Sequence, residues 1–338
     1  LGDRLVEHAS RTGLYYANRH YRLASPLDVL RFDPLSWPNR IRLGIGTLRA
    51  RRVDDWKPLE QVTSADWLRQ MFGKQVYEVV WEPLLRGKFG EYADSVAAVW
   101  MWNKLKLRGG SRKADGAEEL YYLRGGFAAL AERAAERIVE LGGRVETGSP
   151  VTRIEASGGT VTAVIARSQA RPVSAVIGTT ALPLVADIVR EHVEPQVCAN
   201  LEAIDYLGAV CIVLELDRSL SETYWLNVND LSFPFVGVIE HTNMEPTSAY
   251  GGRHIVYLSR YLTETDPLFT MSDEDAVSFG LEHLGRMFPE MEREWVLDGH
   301  VWRARYAQPI VERDYSALLE QVKLPFDNFD LASMAQIY

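Results

Sequence analysis

The chain has 338 residues, 47% hydrophobic and 25% charged, with a formal net charge of −9 and a pI near 5.4. That is the composition of a folded globular protein, long enough for two domains of ordinary size. The acidic balance argues against a nucleic-acid binder, which normally carries a basic face, but leaves room for a local basic pocket.

Cys198 and Cys211 sit beside or inside strand-like runs and read as small buried apolar residues. They support neither a disulfide framework nor a zinc site, and the expected setting is a reducing cytoplasm. No run of ~18 apolar residues is present to span a membrane, and no signal peptide is visible. The chain begins at Leu1 and stops at Tyr338 inside a segment that reads as structured, so the expectation is a fragment truncated at both ends.

Residues 1–110 read as mostly helical. Ser25 before Pro26, Ser36 before Trp37-Pro38, and Thr63 or Ser64 are N-cap signals. Trp67, Leu68, Met71 and Phe72 fall at helical spacing, and Gly73 punctuates them. Residues 109–117 form a polar, glycine-rich link. The stretch LRGGFAALAERAAERIVELGGRVETGSPVTRIE (123–155) then gives a Gly-Gly turn, an amphipathic helix, a second Gly-Gly stop, a short strand at RVET and the start of a hairpin. Phe127, Leu130, Ala131, Ala134, Ile138 and Leu141 make one apolar stripe. The hairpin turns at Gly158-Gly159. Ser174 to Ile177 reads as a buried strand that breaks at Gly178-Thr179-Thr180. From ~200 to ~310 the pattern is strand-rich, with a helix near 273–287. The tail PFDNFDLASMAQIY reads as a turn, a strand and its exit.

These pieces suggest part of a doubly wound sheet, where ligands bind beyond the carboxyl ends of the strands. Leu123–Glu155 together with VIGTTALP (176–183) resembles the middle of the FAD domain of the flavin-containing amine oxidase superfamily, which includes monoamine oxidases, protoporphyrinogen oxidase and phytoene desaturases. WEPLLRGKFGEYADSV, YWLNVND, FVGVIEHTN and RYAQPIV resemble a bacterial and archaeal branch of protoporphyrinogen oxidase-like NAD(P)/FAD-dependent oxidoreductases.

The resemblance implies an α/β fold: an incomplete Rossmann-like FAD-binding domain with an α+β substrate domain made of a helical part and a mixed or antiparallel sheet. It divides the chain into 1–110 (helical part of the substrate domain), 111–195 (middle of the FAD domain), 196–315 (substrate sheet) and 316–338 (start of a C-terminal FAD segment). The family's GxGxxG loop would lie N-terminal to everything present. Leu43-Gly44-Ile45-Gly46 is a chance imitation lacking the third glycine and the strand–helix context. The fragment alone is therefore expected to bind FAD poorly and to be inactive.

The resemblance implies non-covalent FAD, held through Gly125, Gly126, Val151 (main chain to the adenine), Thr179, Thr180, Ser333 and Met334. The plainer readings are turn glycines and a core valine. Lys88 is a weak catalytic candidate near the flavin, read otherwise as a solvated loop lysine. Arg305 and Tyr306, with Arg303 and Gln308, either line a substrate cavity or form ordinary strand pairs and ion pairs. Tyr224, Trp225, Phe233 and Phe235 make an aromatic wall or sheet core. His241 and His254 are isolated, and no metal site is expected.

The implied activity is that of an FAD-dependent oxidoreductase removing hydride from a C–N or C–C bond of a fairly large substrate, isoprenoid or porphyrin-like, with a peripheral membrane contact compatible with it and no nucleic-acid partner. The alternatives are a flavin-dependent isomerase resembling UDP-galactopyranose mutase and a non-catalytic binding protein on the same fold.

Overall fold

The computed structural model describes residues 2–22, 25–110 and 118–337. The polar link expected at 109–117 lies outside them from residue 111 onward. In chain order the strands are β1 (Leu5–Ser10), β2 (Thr12–Tyr16), β3 (Arg19–Arg22), β4 (Glu118–Leu123), β5 (Val151–Ser157), β6 (Thr160–Ala166), β7 (Gln169–Pro172), β8 (Val176–Gly178), β9 (Tyr206–Leu216), β10 (Trp225–Val228), β11 (Gly237–Glu240), β12 (His254–Leu262), β13 (Val296–Pro309) and β14 (Phe329–Leu331). The helices are α1 (Pro26–Arg31), α2 (Trp37–Arg51), α3 (Ser64–Phe72), α4 (Lys74–Val76), α5 (Glu82–Phe89), α6 (Ala98–Gly110), α7 (Ala128–Glu140), α8 (Leu182–Val189), α9 (Pro195–Glu202), α10 (Pro267–Thr270), α11 (Asp273–Met287) and α12 (Tyr315–Gln321). The fold is mixed α/β, in two compact units. The first holds residues 1–127 and 206–308, the second residues 128–205 and 309–338. No helix among the described residues is long and apolar enough to cross a membrane.

In the first unit a seven-stranded mixed sheet runs in the order β13-β9-β12-β11-β10-β2-β3. Residues 5–22 are strands, not the helix expected there. Their turn residues, Ala17 and Asn18, take left-handed backbone at φ 49° and 58° without a glycine to advertise it. One face of the sheet is dry. Val210, Ile212, Leu214, Val256 and Leu258 point into a core closed by α11 through Ala276, Leu284 and Met287. Gly280 lets the helix approach closely, since a Cβ there would lie 3.0 Å from Ile212 and Leu258. Ser272 caps α11 by accepting from the Asp275 N–H.

The helical layer of this unit packs equally tightly. Thr63 accepts from the Asp66 N–H to start α3, and Gly73 ends it at φ 80°. The glycine imitation at 43–46 lies wholly within α2. There Gly46 meets the ring of buried Phe72, with a Cβ position only 2.5 Å away. Asn229, buried after β10, ties this layer to the sheet: its amide donates to the carbonyls of Val79 and Val80.

In the second unit β5, β6 and β7 form an antiparallel sheet whose first hairpin turns at Gly158-Gly159, φ 57° and 82°. β8 and β14 form a separate parallel pair. RVET (144–147) is not a strand. A strand exists only with a ladder partner, and none runs beside these residues among those described; instead Arg167 donates to the carbonyls of Thr147 and Gly148. The apolar stripe of α7 faces outward: Leu130, Ile138 and Leu141 are exposed, Leu141 by 70%, and Ala129 is the buried residue of the helix.

Candidate functional site

The second face of the seven-stranded sheet is built by strict alternation. Residues directly opposite in an antiparallel ladder share a face. Opposite Ala209, Cys211 and Val213 of β9 stand Tyr261, Ser259 and Tyr257 of β12. Beyond them, Ile239 faces Tyr257 and Gly237 faces Ser259, then Trp225 faces Ile239 and Asn227 faces Gly237. The result is a surface of phenols, a hydroxyl, a thiol, an indole and an amide, with the Trp225 indole and Ile239 side chain lying over Gly237, which has no side chain of its own. The Trp225 indole donates to Asn227 at 3.0 Å.

Burial raises the hydroxyl pKa of Tyr257 and Tyr261 and pushes the Cys211 thiol up to about 11. The cation on this face comes from α5. Lys88 lies in the last turn of that helix, not on a loop, and its Nζ sits 4.2 Å from the Tyr261 ring centre and 5.6 Å from that of Trp100. Aromatic faces attract an ammonium at this distance.

At the end of β11 the same face continues into a half-buried hydroxyl–imidazole cluster around the buried His241. His241 Nε2 is 2.6 Å from the Tyr250 hydroxyl. Its ring packs edge-on against Tyr122, 5.1 Å between centres, and against Tyr257 at 5.8 Å. Burial lowers the His241 pKa, which favours the neutral imidazole, and raises those of Tyr122, Tyr224 and Tyr250. Tyr122, next to last in β4, lies beside the turn at Gly125 and Gly126, whose φ of 91° and 82° only glycine adopts freely. The two glycines expected at a cofactor thus adjoin the His241 cluster of the first unit.

In the second unit the register of the parallel pair brings two other expected segments together. Phe329, Asp330 and Leu331 pair with Val176, Ile177 and Gly178, and the Ala332 N–H donates to the Gly178 carbonyl. Thr179-Thr180 and Ser333-Met334 therefore leave the same carboxyl end of adjacent parallel strands, where open α/β sheets bind ligands. Thr179, Thr180 and Met334 are exposed, while Ser333 is buried and caps its turn by accepting from the Ala335 N–H. Val151 opens β5 on the separate antiparallel sheet, paired with Ala166 and exposed rather than in the core. The Thr179-Thr180 and Ser333-Met334 turns, at the carboxyl ends of paired parallel strands, have the placement that one wall of a dinucleotide site requires. No GxGxxG sequence joins a strand to a helix among the described residues.

Other candidates have plainer roles. Arg303 pairs with Asp273 and donates to the Met271 carbonyl, and Arg305 pairs with Glu264. Tyr306 packs edge-on against Tyr206. Phe233 and Phe235 lie in the core, whereas Tyr224 and Trp225 contact each other. His254 Nδ1 is 3.9 Å from buried Glu240. Both cysteines are free, and no metal-binding group of side chains occurs among the described residues. The sequence reading missed Tyr122, Tyr250, Tyr257 and Tyr261 and took His241 as isolated. The alternation of HIVYLSRYL could have put Tyr257, Ser259 and Tyr261 on one face, but nothing in the chain links Tyr122 to His241.

The family model for flavin-containing amine oxidoreductases matches residues 4–336. Among solved structures, a provisionally assigned protoporphyrinogen oxidase from Exiguobacterium sp. 255-15 superposes with a TM-score of 0.74 at 16% identity, covering 99% of this chain and 78% of that one. Reduced UDP-galactopyranose mutase gives 0.69 at 13% identity over 94% and 70% of the two chains. Cyclohexylamine oxidase from Brevibacterium oxydans gives 0.63 at 14% identity over 98% and 77%. No curated protein matches the chain.

Proposed function

The chain belongs to the flavin-containing amine oxidoreductase family, and on that footing we propose that it serves an FAD-dependent oxidoreductase acting on a C–N or C–C bond of a large, mainly apolar substrate. The observation that carries this reading is the β8–β14 parallel pair, which delivers Thr179-Thr180 and Ser333-Met334 to one edge. There the hydroxyls and main-chain groups would hold non-covalent FAD. When bound, that cofactor supplies a ring able to accept hydride.

The remaining work falls to the first unit. The aromatic face of β9, β12, β11 and β10 offers apolar area to the substrate, and Trp225 and Asn227 offer polar contacts that orient it. Lys88, held over Tyr261, supplies fixed positive charge. His241, buried and favouring its neutral form, can take up a proton through Tyr250.

A nucleotide-sugar isomerase needs arginines for a diphosphate. Arg303 and Arg305 are already paired with Asp273 and Glu264, which favours the oxidoreductase reading. The test is to purify the full-length protein and record its visible spectrum before and after anaerobic addition of amine and isoprenoid or porphyrinogen donors. Bound flavin bleached by one donor class supports the proposal. A protein without flavin, or one whose flavin binds UDP-sugar only when reduced and is bleached by no donor, overturns it.

A further inference from the structure

Helix α2 of the first unit presents an unusual outer face. Successive helical residues turn by about 100°, so Trp37, Ile41, Ile45 and Leu48 fall on one narrow stripe. All four are exposed, by 62%, 53%, 46% and 55%. Leu43, Gly46 and Ala50 occupy the opposite, buried side. Arginines flank the stripe on both edges: Arg40 and Arg51 on one, Arg42 and Arg49 on the other, with Arg52 just beyond the helix. Residues 34–53 hold these five arginines and no acidic residue, in a chain whose net charge is −9. Arg42, Arg49 and Arg52 make no ion pair among the described residues. Arg40 donates to the carbonyls of Leu30 and Leu35 and lies 4.7 Å over the Trp37 ring, which fixes that indole facing outward. A groove of about 570 Å³ runs between the stripe and α1, lined by Ile41, Ile45, Leu48, Pro26, Val29 and Leu30.

We propose that this face docks the protein onto an anionic phospholipid bilayer, with the apolar stripe and Trp37 seated at the headgroup–acyl boundary and part of an acyl chain admitted to the groove. An apolar helical face edged by arginine rows and carrying an outward indole has the chemistry of an interfacial helix. A negative lipid surface complements the arginine rows. A second copy of the chain fits worse, because a two-fold contact would set arginine rows against one another.

The experiment is co-sedimentation of the full-length protein with vesicles of phosphatidylcholine alone and of phosphatidylcholine mixed with phosphatidylglycerol. Binding to the mixed vesicles alone, weakened by added salt, is expected. The combined variant Arg42→Gln/Arg49→Gln/Arg52→Gln should bind about 100-fold more weakly. Ile45→Ser/Leu48→Ser should also weaken binding, with melting unchanged in both variants because every altered side chain is exposed. Equal binding to both vesicle types, or binding unmoved by either variant, overturns the proposal. So does absence of vesicle binding together with a dimer in light scattering that Ile45→Glu dissolves, which would make the face a self-association surface.

Discussion

Asn328 and Val161, 167 residues apart, exchange two hydrogen bonds: the Asn328 Oδ1 accepts from the Val161 N–H at 2.8 Å, and its Nδ2 donates to the Val161 carbonyl at 2.9 Å. The side-chain amide thus stands in for a neighbouring strand beside β6. It also donates to the Ser174 carbonyl, joining the segment before β14 to the approach to β8. Asn328→Ala should cost about 1–3 kcal/mol, the range for stranding half-buried partners. Asn328→Asp should cost at least as much at neutral pH, since it keeps the acceptor but loses both donors. Urea unfolding of the three proteins measures this.

Two glycines of α2 should respond with opposite signs. Gly46→Ala places a methyl 2.5 Å from the fully buried Phe72 ring, so a cost of about 1–3 kcal/mol outweighs the better helix propensity of alanine. A Cβ at Gly44 meets nothing within 4 Å. Gly44→Ala should therefore stabilise by about 0.5–1 kcal/mol. Thermal melting of the pair decides the matter.

Burial lowers the His241 pKa below its unfolded value of about 6.5. The unfolded chain then binds more protons than the folded one between those two pKa values. The stability contributed by this group is complete above about pH 6.5 and declines as pH falls through the folded pKa. His241→Gln keeps a partner for Tyr250 and removes the titration. Denaturation midpoints across pH should slope less in that window for the variant than for the parent.

With its pKa near 11, Cys211 is thiolate in roughly one molecule in ten thousand at pH 7. Alkylation by iodoacetamide should be slow in the native protein and rapid after unfolding. Because the thiol lies on the aromatic face, an oxidisable substrate analogue should slow its labelling further. Mass spectrometry of the labelled peptide reports both effects.

Lys88→Met removes the ammonium that sits over Tyr261 while retaining much of its length. A fall in kcat/KM of about 10- to 100-fold with unchanged flavin content is expected. Lys88→Arg should recover part of the loss. Loss of flavin instead would show that the residue acts through folding or cofactor binding.

Local patterns carried much of the fold into the sequence. The cap signals at Ser25 and Thr63 do start helices, and Gly158-Gly159 marks its hairpin. The failures share a cause: they depend on partners distant in the chain. Residues 5–22 become strands because β2 lies beside β10 and turns back through Ala17-Asn18, and RVET stays irregular because no strand lies alongside. The site divides in the same way. The positions of Thr179 and Ser333 at strand ends were legible because each follows a short strand. The Tyr122–His241–Tyr250 cluster was not, since it joins residues from β4, the end of β11 and a later turn.

The parallel pairing of β8 with β14 also dictates an order of assembly. On the ribosome, β8 emerges while residues 329–331 are still unmade, and all of 206–308 must be translated in between. The first unit can settle during that interval, but the second cannot close its strand pair until synthesis is nearly over. A premature stop anywhere in 206–328 would leave β8 without its neighbour even with every residue of 128–205 intact.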